Sequence, residues 1–437
     1  MAFIDGEAPY YIWNKDVCNM THENEMDVVI LGDSVANSSF MPEILSDKTV
    51  NLSLGGTTPI ENYYIMQDWM DNNGAPKHVF ISFMDSHFIE AECYWKRCLY
   101  SHRFTTKQNW EILKNAKKYK ESSIATETCD MDFLSYEMYL PNKYVTALGN
   151  AGFDQRLKGN QSIYNSNYLY GGRYIGRTVE VGELLPTEYS EFRVKPMFDK
   201  YYKDLIRMCI DRGCEVHIVK PPLPETTTFT ENYVRQYEEY YDELQKLFPM
   251  ITVEWWRQGY DAACFADNSH MNMSGAFRFG QEIKDAYPQV FDEGCPQERM
   301  KAINATIESE KILDEMLKWG TLPPYALVVY DAEGDFDEMY GESYWKDRLE
   351  IKQHILTDES DSAIYAIGSA EGSDWFEEIY LKDGAYEICL GENVKYEWSP
   401  CRTSGISVLV VTENGETVIT EKTFNCEESI YTLQENE

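Results

Sequence analysis

Between Asp27 and Phe40 the chain reads DVVILGDSVANSSF, and no other stretch restricts the possible folds as much. Four apolar strand-formers, Val28 to Leu31, run without alternation into Gly32-Asp33-Ser34 and then into residues able to open a helix, so the pattern is strand, tight turn, helix N-terminus. A serine at such a turn is exposed at the carboxyl end of the strand. Its own backbone N–H then faces whatever its hydroxyl attacks, which is the geometry acyl transfer needs. On its own the tripeptide reads first as an ordinary Gly-Asp-Ser turn, and the rest of the chain has to decide.

The same grammar repeats downstream. Thr49 to Leu54 reads as a second strand ending at Gly55-Gly56, and Thr58-Pro59-Ile60-Glu61 is a capping box with proline in the first helical position, opening a helix to about Met70. Two successive strands that each end in a glycine turn before a helix predict a doubly wound, flavodoxin-like parallel sheet with its site at the carboxyl edge. Gly55 or Gly56 can bring a second backbone N–H to an oxyanion there, although Gly-Gly before a capped helix is also common loop chemistry. A third strand, His78 to Phe83, runs into Met84-Asp85-Ser86-His87.

Residues from about Glu90 to Val194 read as an insertion between sheet elements. It holds a basic helix around Lys107, Lys114, Lys117 and Lys118 and a loop from Tyr164 to Arg177. Long irregular stretches inside a domain usually carry function or move. Tyr168, Tyr170 and Arg173 are the candidates to grip a polyhydroxylated acceptor, with a lid packed only for stability as the equal alternative. Regular patterning returns with a helix through Phe198, Tyr201 and Leu205 and a strand Glu215 to Val219, in which His217 reads as a packed histidine. A tyrosine-striped helix to Leu247, a strand from Ile251 to Trp256 and a last helix from Ser274 to Tyr287 complete the pattern.

Just before that last helix stands FADNSHMNMSGA, Phe265 to Ala276. Asp267 and His270 are three residues apart on an expected turn, close enough for the carboxylate to fix one imidazole tautomer while the other ring nitrogen faces a serine. A helix-capping Asp267 and a core His270 are the alternative. GDS after the first strand, Gly-Gly after the second and D-x-x-H before the last helix resemble the SGNH or GDSL hydrolase superfamily. ILGDSVANSSFMPE, NLSLGGTTPIENYY and FADNSHMNMSGA are similar to its extracytoplasmic DltD-like and alginate-acetylation-like branches, which work beside membrane-bound O-acyltransferases. The match covers residues 8 to 290.

That resemblance implies Ser34 as nucleophile, His270 as general base and Asp267 as its orienter, with the backbone of Ser34 and of Gly55 or Gly56 as the oxyanion site. It implies a cell-surface glycan or teichoic-acid-type polymer as substrate and a membrane-bound O-acyltransferase as partner. The acyl-serine would be resolved by a sugar hydroxyl or by water. A soluble-substrate esterase and a glycan-binding scaffold with a vestigial triad are the other readings. Where the family places an asparagine as third oxyanion donor this sequence has Ser86, with His87 beside it, and one missing donor is typically worth about 2.7–4 kcal/mol of transition-state stabilisation. The resembling families carry an N-terminal membrane anchor, so the expectation is an extracytoplasmic chain anchored by a segment outside these residues, with a cytoplasmic location as the alternative.

The 437 residues allow two or three domains, and a net charge of −35 argues against nucleic acid as a partner. No apolar run is long enough to span a bilayer. The eleven cysteines are scattered and read as free thiols; Cys93-x4-Cys98 and Cys209-x4-Cys214 lack further ligands at matching spacing, so no metal and no organic cofactor is expected. Beyond Pro288 the character changes: a helical connector over 296–320 precedes a β-rich region, 321–437, with hairpin signals at Asp383-Gly384 and Asn414-Gly415. Its GISVLVVTENGETVITEKTF run resembles an interleukin-like domain attached to surface carbohydrate-active proteins. The expected plan is an α/β SGNH-type domain over residues 1–295, this connector, and a C-terminal β-rich accessory domain.

Overall fold

Val28 to Leu31 are buried without exception, because the strand they form, β1 (Val28–Gly32), has a parallel neighbour on each side and helices over both faces. The computed structural model describes residues 8–20, 26–46, 48–91, 93–99, 101–137, 164, 184–255 and 259–291. Further along it describes the strand residues 325–331, 350–356, 363–369, 376–382, 385–390, 394–398, 406–412 and 418–424. The chain divides into two compact units, Met1–Gly294 and Cys295–Glu437.

In the first unit β1 is flanked by β2 (Thr49–Asn51) and β3 (His78–Ser82). β4 (Thr187–Tyr189) and β6 (Thr227–Phe229) form a small parallel pair, and β5 (Glu215–Val219) and β7 (Thr252–Glu254) extend the main sheet. The order β2-β1-β3-β5-β7 is parallel throughout, so the winding direction reverses between β1 and β3. In open α/β sheets that reversal opens a crevice at the strands' carboxyl ends.

The helices are α1 (Ala8–Asn19), α2 (Ser34–Ser39), α3 (Pro42–Leu45), α4 (Pro59–Asn73), α5 (Thr106–Tyr119), α6 (Cys129–Glu137), α7 (Pro196–Asp211), α8 (Glu231–Leu247) and α9 (Met273–Ala286). One face of the sheet is covered by α1, α4 and α7, which pack on one another, and the other by α2, α3 and α9. Phe40 meets Phe279 edge to face at 5.1 Å, and Phe80 packs against Tyr287 and Phe291, so the last helix is fastened over β1 and β3.

The capping box is present as the sequence predicts: Thr58 caps α4, its backbone N–H donates to Glu61, and Pro59 stands at the first helical position. Burial raises the Glu61 carboxyl above its usual range against the lowering effect of the Thr58 hydrogen bonds. The second strand is shorter than its apolar run. After Asn51 the ladder is only half made, because Gly32 N–H donates to Asn62 Oδ1 and Leu52 O accepts from Asn14 Nδ2, while the N–H groups of Leu52 and Leu54 still donate to Ile30 and Gly32.

Of the stretch between Glu90 and Val194, the described parts include a π-helical turn at Tyr94–Cys98, α5, α6 and β4. Lys107, Lys114, Lys117 and Lys118 are exposed on α5. The described residues of the second unit all lie in strands. β8 (Tyr325–Asp331), β9 (Glu350–Leu356), β10 (Ala363–Ser369), β14 (Ile406–Thr412) and β15 (Val418–Phe424) form an antiparallel sheet ordered β15-β14-β8-β10-β9. β11 (Phe376–Lys382), β12 (Ala385–Leu390) and β13 (Val394–Trp398) form a meander, with Lys382 opposite Ala385 across Asp383-Gly384. The connector over 296–320 lies outside the described residues.

Candidate active site

The carboxyl end of β1 is clamped before the serine arrives. Gly32 N–H donates to Asn62 Oδ1 at 3.0 Å, and Gly32 O accepts from Thr57 Oγ1 at 2.9 Å. A Cβ on Gly32 would lie 2.0 Å from Ser82 O, so only glycine lets β1 and β3 approach here. Asp33 then caps α2. Its Oδ1 accepts from Val35 N–H at 2.8 Å and Ala36 N–H at 3.3 Å, and its Oδ2 accepts from Met84 N–H at 2.7 Å. Asp33 is fully buried, with His87 Nε2 3.4 Å from the same Oδ2. These caps satisfy the neighbouring amides and leave Ser34 N–H with no acceptor among the described residues.

Ser34 Oγ lies 2.8 Å from His270 Nε2, across 236 positions of sequence. The other imidazole nitrogen, Nδ1, is 2.8 Å from Asp267 Oδ2 and 3.0 Å from Oδ1. With Nδ1 carrying the proton toward the carboxylate, Nε2 is left to accept from the serine hydroxyl. Asp267 also accepts from the N–H groups of Ser269 and His270, each at 2.8 Å. Partial burial works to raise its pKa, but the His270 hydrogen bond and charge, with these two N–H groups, hold the carboxyl well below its usual range. The cap of the last helix is Asn272, whose Oδ1 accepts from Gly275 N–H, so Asp267 is not occupied as an N-cap.

The Gly55-Gly56 turn sits beside this edge because Leu54 N–H donates to Gly32 O. The carbonyl of Gly55 is held by Tyr11 Oη at 2.6 Å and Arg97 at 3.2 Å. In a trans peptide the N–H of the next residue points opposite the carbonyl, so Gly56 N–H is directed away from Tyr11 and Arg97. Gly56 has φ +75°, and a Cβ there would lie 2.2 Å from Cys93 Sγ. Ser86 is exposed on the short 3-10 turn Asp85–Phe88; the groups of that segment that face Asp33 are Met84 N–H and His87. Tyr168, Tyr170 and Arg173 lie outside the described residues.

Sequence reading missed a second layer. Lys220, directly after β5, is 6% exposed and donates to Asp85 Oδ1 at 3.0 Å and to Tyr233 Oη at 2.7 Å, while Tyr233 Oη bonds the other Asp85 oxygen. The rings of Tyr237, Tyr233, Trp255 and Phe229 surround its ammonium at 4.7 to 5.7 Å. Burial lowers the Lys220 pKa against the raising effect of Asp85. Asp85 begins the turn that carries His87, so this pair braces the turn behind Ser34. Its only trace in the sequence is a lysine at the carboxyl end of an apolar strand.

One hydrogen bond brings the end of the insertion to the same edge. Leu185 N–H donates to Asn268 Oδ1 at 2.9 Å, inside the Asp267–His270 turn. Tyr189 has its hydroxyl pushed up to about 12 by burial, with the charges of Asp85 and Asp33 adding to it. Scanned against models of known families this chain matches none, and a search of curated proteins finds no relative.

Proposed function

We propose that this chain is a serine-dependent acyl enzyme of the SGNH type acting on cell-surface glycan or teichoic-acid-type polymers. The observation that carries the reading is the continuous hydrogen-bonded line from Ser34 through His270 to Asp267 at the carboxyl edge of a parallel sheet. Ser34 Oγ attacks the acyl carbonyl carbon as its proton passes to His270 Nε2. The leaving alkoxide takes that proton from His270, and an acyl-Ser34 ester remains. Water or an acceptor hydroxyl then attacks this ester, giving its proton to His270, which passes it to Ser34 Oγ as the acyl–Oγ bond breaks and the acid or acylated acceptor leaves. The N–H groups of Ser34 and Gly56 receive the oxyanion, with the Gly55 carbonyl turned away by Tyr11 and Arg97.

Transfer to a sugar hydroxyl, in company with a membrane-bound O-acyltransferase, is favoured over hydrolysis by the Leu185–Asn268 tether. It brings the end of the insertion onto the turn that carries Asp267 and His270, beside which an acceptor hydroxyl would have to be held. The β strands beyond Tyr325 are assigned to a glycan-binding or spacing module.

The test is labelling. A fluorophosphonate should modify Ser34, and Ser34→Ala should abolish the label and lower turnover of a short acyl ester on the order of 10³-fold or more. A wild type that neither labels nor cleaves any acyl donor would leave a binding scaffold. For transfer, adding soluble glycan should divert product from free acid to acylated sugar, with Tyr168→Ala and Tyr170→Ala lowering that partition more than ester cleavage. Unchanged release of free acid with every acceptor would leave an esterase.

A further inference from the structure

At the end of the sheet opposite Ser34, two histidines and a glutamate meet without any part in the chemistry proposed above. The parallel register sets His78 of β3 beside Glu215 of β5 and Phe80 beside His217, and sets His217 beside Thr252 of β7. Neighbours in register share a face and alternate residues along a strand share it too, so His78, Glu215, His217 and Thr252 project from one side at the amino-terminal rim. His78 Nδ1 stands 3.3 Å from His217 Nε2 and 3.6 Å from Glu215 Oε2, and the three ligand atoms all fall within 4.8 Å of one another. No other group of three histidine, cysteine or carboxylate ligands converges this way among the described residues.

We propose that His78, His217 and Glu215 form a binding site for one divalent transition ion of the zinc class, clamping β3 to β5. Metal–nitrogen bonds of about 2.0–2.1 Å in a tetrahedron place neighbouring ligand atoms about 3.3 Å apart, which is the spacing of the two imidazole nitrogens here. His217 is held for the task. Its ring lies against Phe80 and Tyr287, and Nδ1 bonds Thr252 Oγ1 at 2.9 Å, leaving Nε2 turned to His78. His78 reaches the rim with 14% of its side chain exposed and Glu215 with 65%, so the ion enters from solvent, and Glu215 can swing to complete the set with water in the remaining position.

On binding, each neutral imidazole carries its proton on the nitrogen away from the ion, and the hydrogen bond between the two rings gives way to two metal bonds. Asp27 and Lys77 also face His78 and oppose one another in charge, Lys77 being bonded to Asp27 at 3.0 Å. Two imidazoles with one carboxylate select zinc, cobalt, nickel or copper over magnesium and calcium.

The full chain, stripped with a chelator, is titrated with zinc(II) and cobalt(II). One equivalent should bind, raising the melting temperature with metal concentration, and cobalt should give visible bands of nitrogen and oxygen ligation without near-ultraviolet thiolate absorption. Glu215→Gln should weaken binding about 10-fold or more, His78→Ala should remove it, and His270→Ala should bind as the wild type does. Absence of uptake, a thiolate spectrum, or binding undiminished in both Glu215→Gln and His78→Ala overturns the proposal and leaves a hydrogen-bonded histidine pair. Should His78→Ala fail to fold, Glu215→Gln, on an exposed side chain, decides.

Discussion

Asp33 and Asp267 stand on either side of the serine in the hydrogen-bond network and carry different loads. Asp33 is buried and spends its oxygens on three backbone N–H groups, which fixes where the Ser34 backbone sits. Asp267, with 52% of its side chain exposed, spends its charge on His270. Asp267→Asn keeps the shape but offers Nδ1 the wrong partner, so kcat on an acyl ester should fall on the order of 10⁴-fold. The pKa of Asp267 is depressed in the folded chain, so its ionised form stabilises the fold above its unfolded value of 3.8 and that contribution is lost as pH falls below it. Because the group is exposed, solvent screening keeps the effect within about 1 kcal/mol. Urea unfolding of wild type and Asp267→Asn should therefore run parallel above pH 3.8 and converge below it.

Two turns and one buried pair set the geometry at the level of elements. Gly56→Ala puts an L residue at φ +75° and a methyl against Cys93 Sγ, a left-handed conformation that costs roughly 1–2 kcal/mol. A displaced Gly56 N–H should lower kcat on the order of 10²-fold, measured on a short acyl ester. Cys93→Gly in the same chain, which removes both the Sγ at 2.2 Å and the Cβ at 2.7 Å from the added methyl, should relieve most of the steric part while leaving the backbone cost. Behind the other turn, Lys220→Met leaves the Asp85 carboxylate, 13% exposed and still bonded by Tyr233, without its cation, which costs up to about 3 kcal/mol. In Lys220→Met/Asp85→Asn no uncompensated charge is left, so urea unfolding should show a loss well short of the sum of the single losses. Equal additivity would mean that the pair is not coupled.

Over the whole molecule, the line Ser34–His270–Asp267 and its bracing residues belong to the unit Met1–Gly294, so a chain ending at Gly294 should keep fluorophosphonate labelling of Ser34. Loss of labelling with the fold retained would make the second unit part of the chemistry. Much of the first unit was legible in the residues: the apolar run of β1, the Thr58 capping box and the three-residue spacing of Asp267 and His270 are local patterns, and local backbone sterics and hydrogen bonding decide them. The early exit of β2 was hidden, because it depends on Asn62 and Asn14 capturing Gly32 N–H and Leu52 O from 30 and 38 positions away, and the Lys220 cage was hidden because its rings come from β6, α8 and the end of β7. The sequence by itself determined which residues sit on turns at strand ends. Only the tertiary structure decided that residues 236 positions apart face each other at 2.8 Å, because that closure is made by α9 packing Phe279 onto Phe40 on one face of the sheet, a long-range contact that no local periodicity encodes.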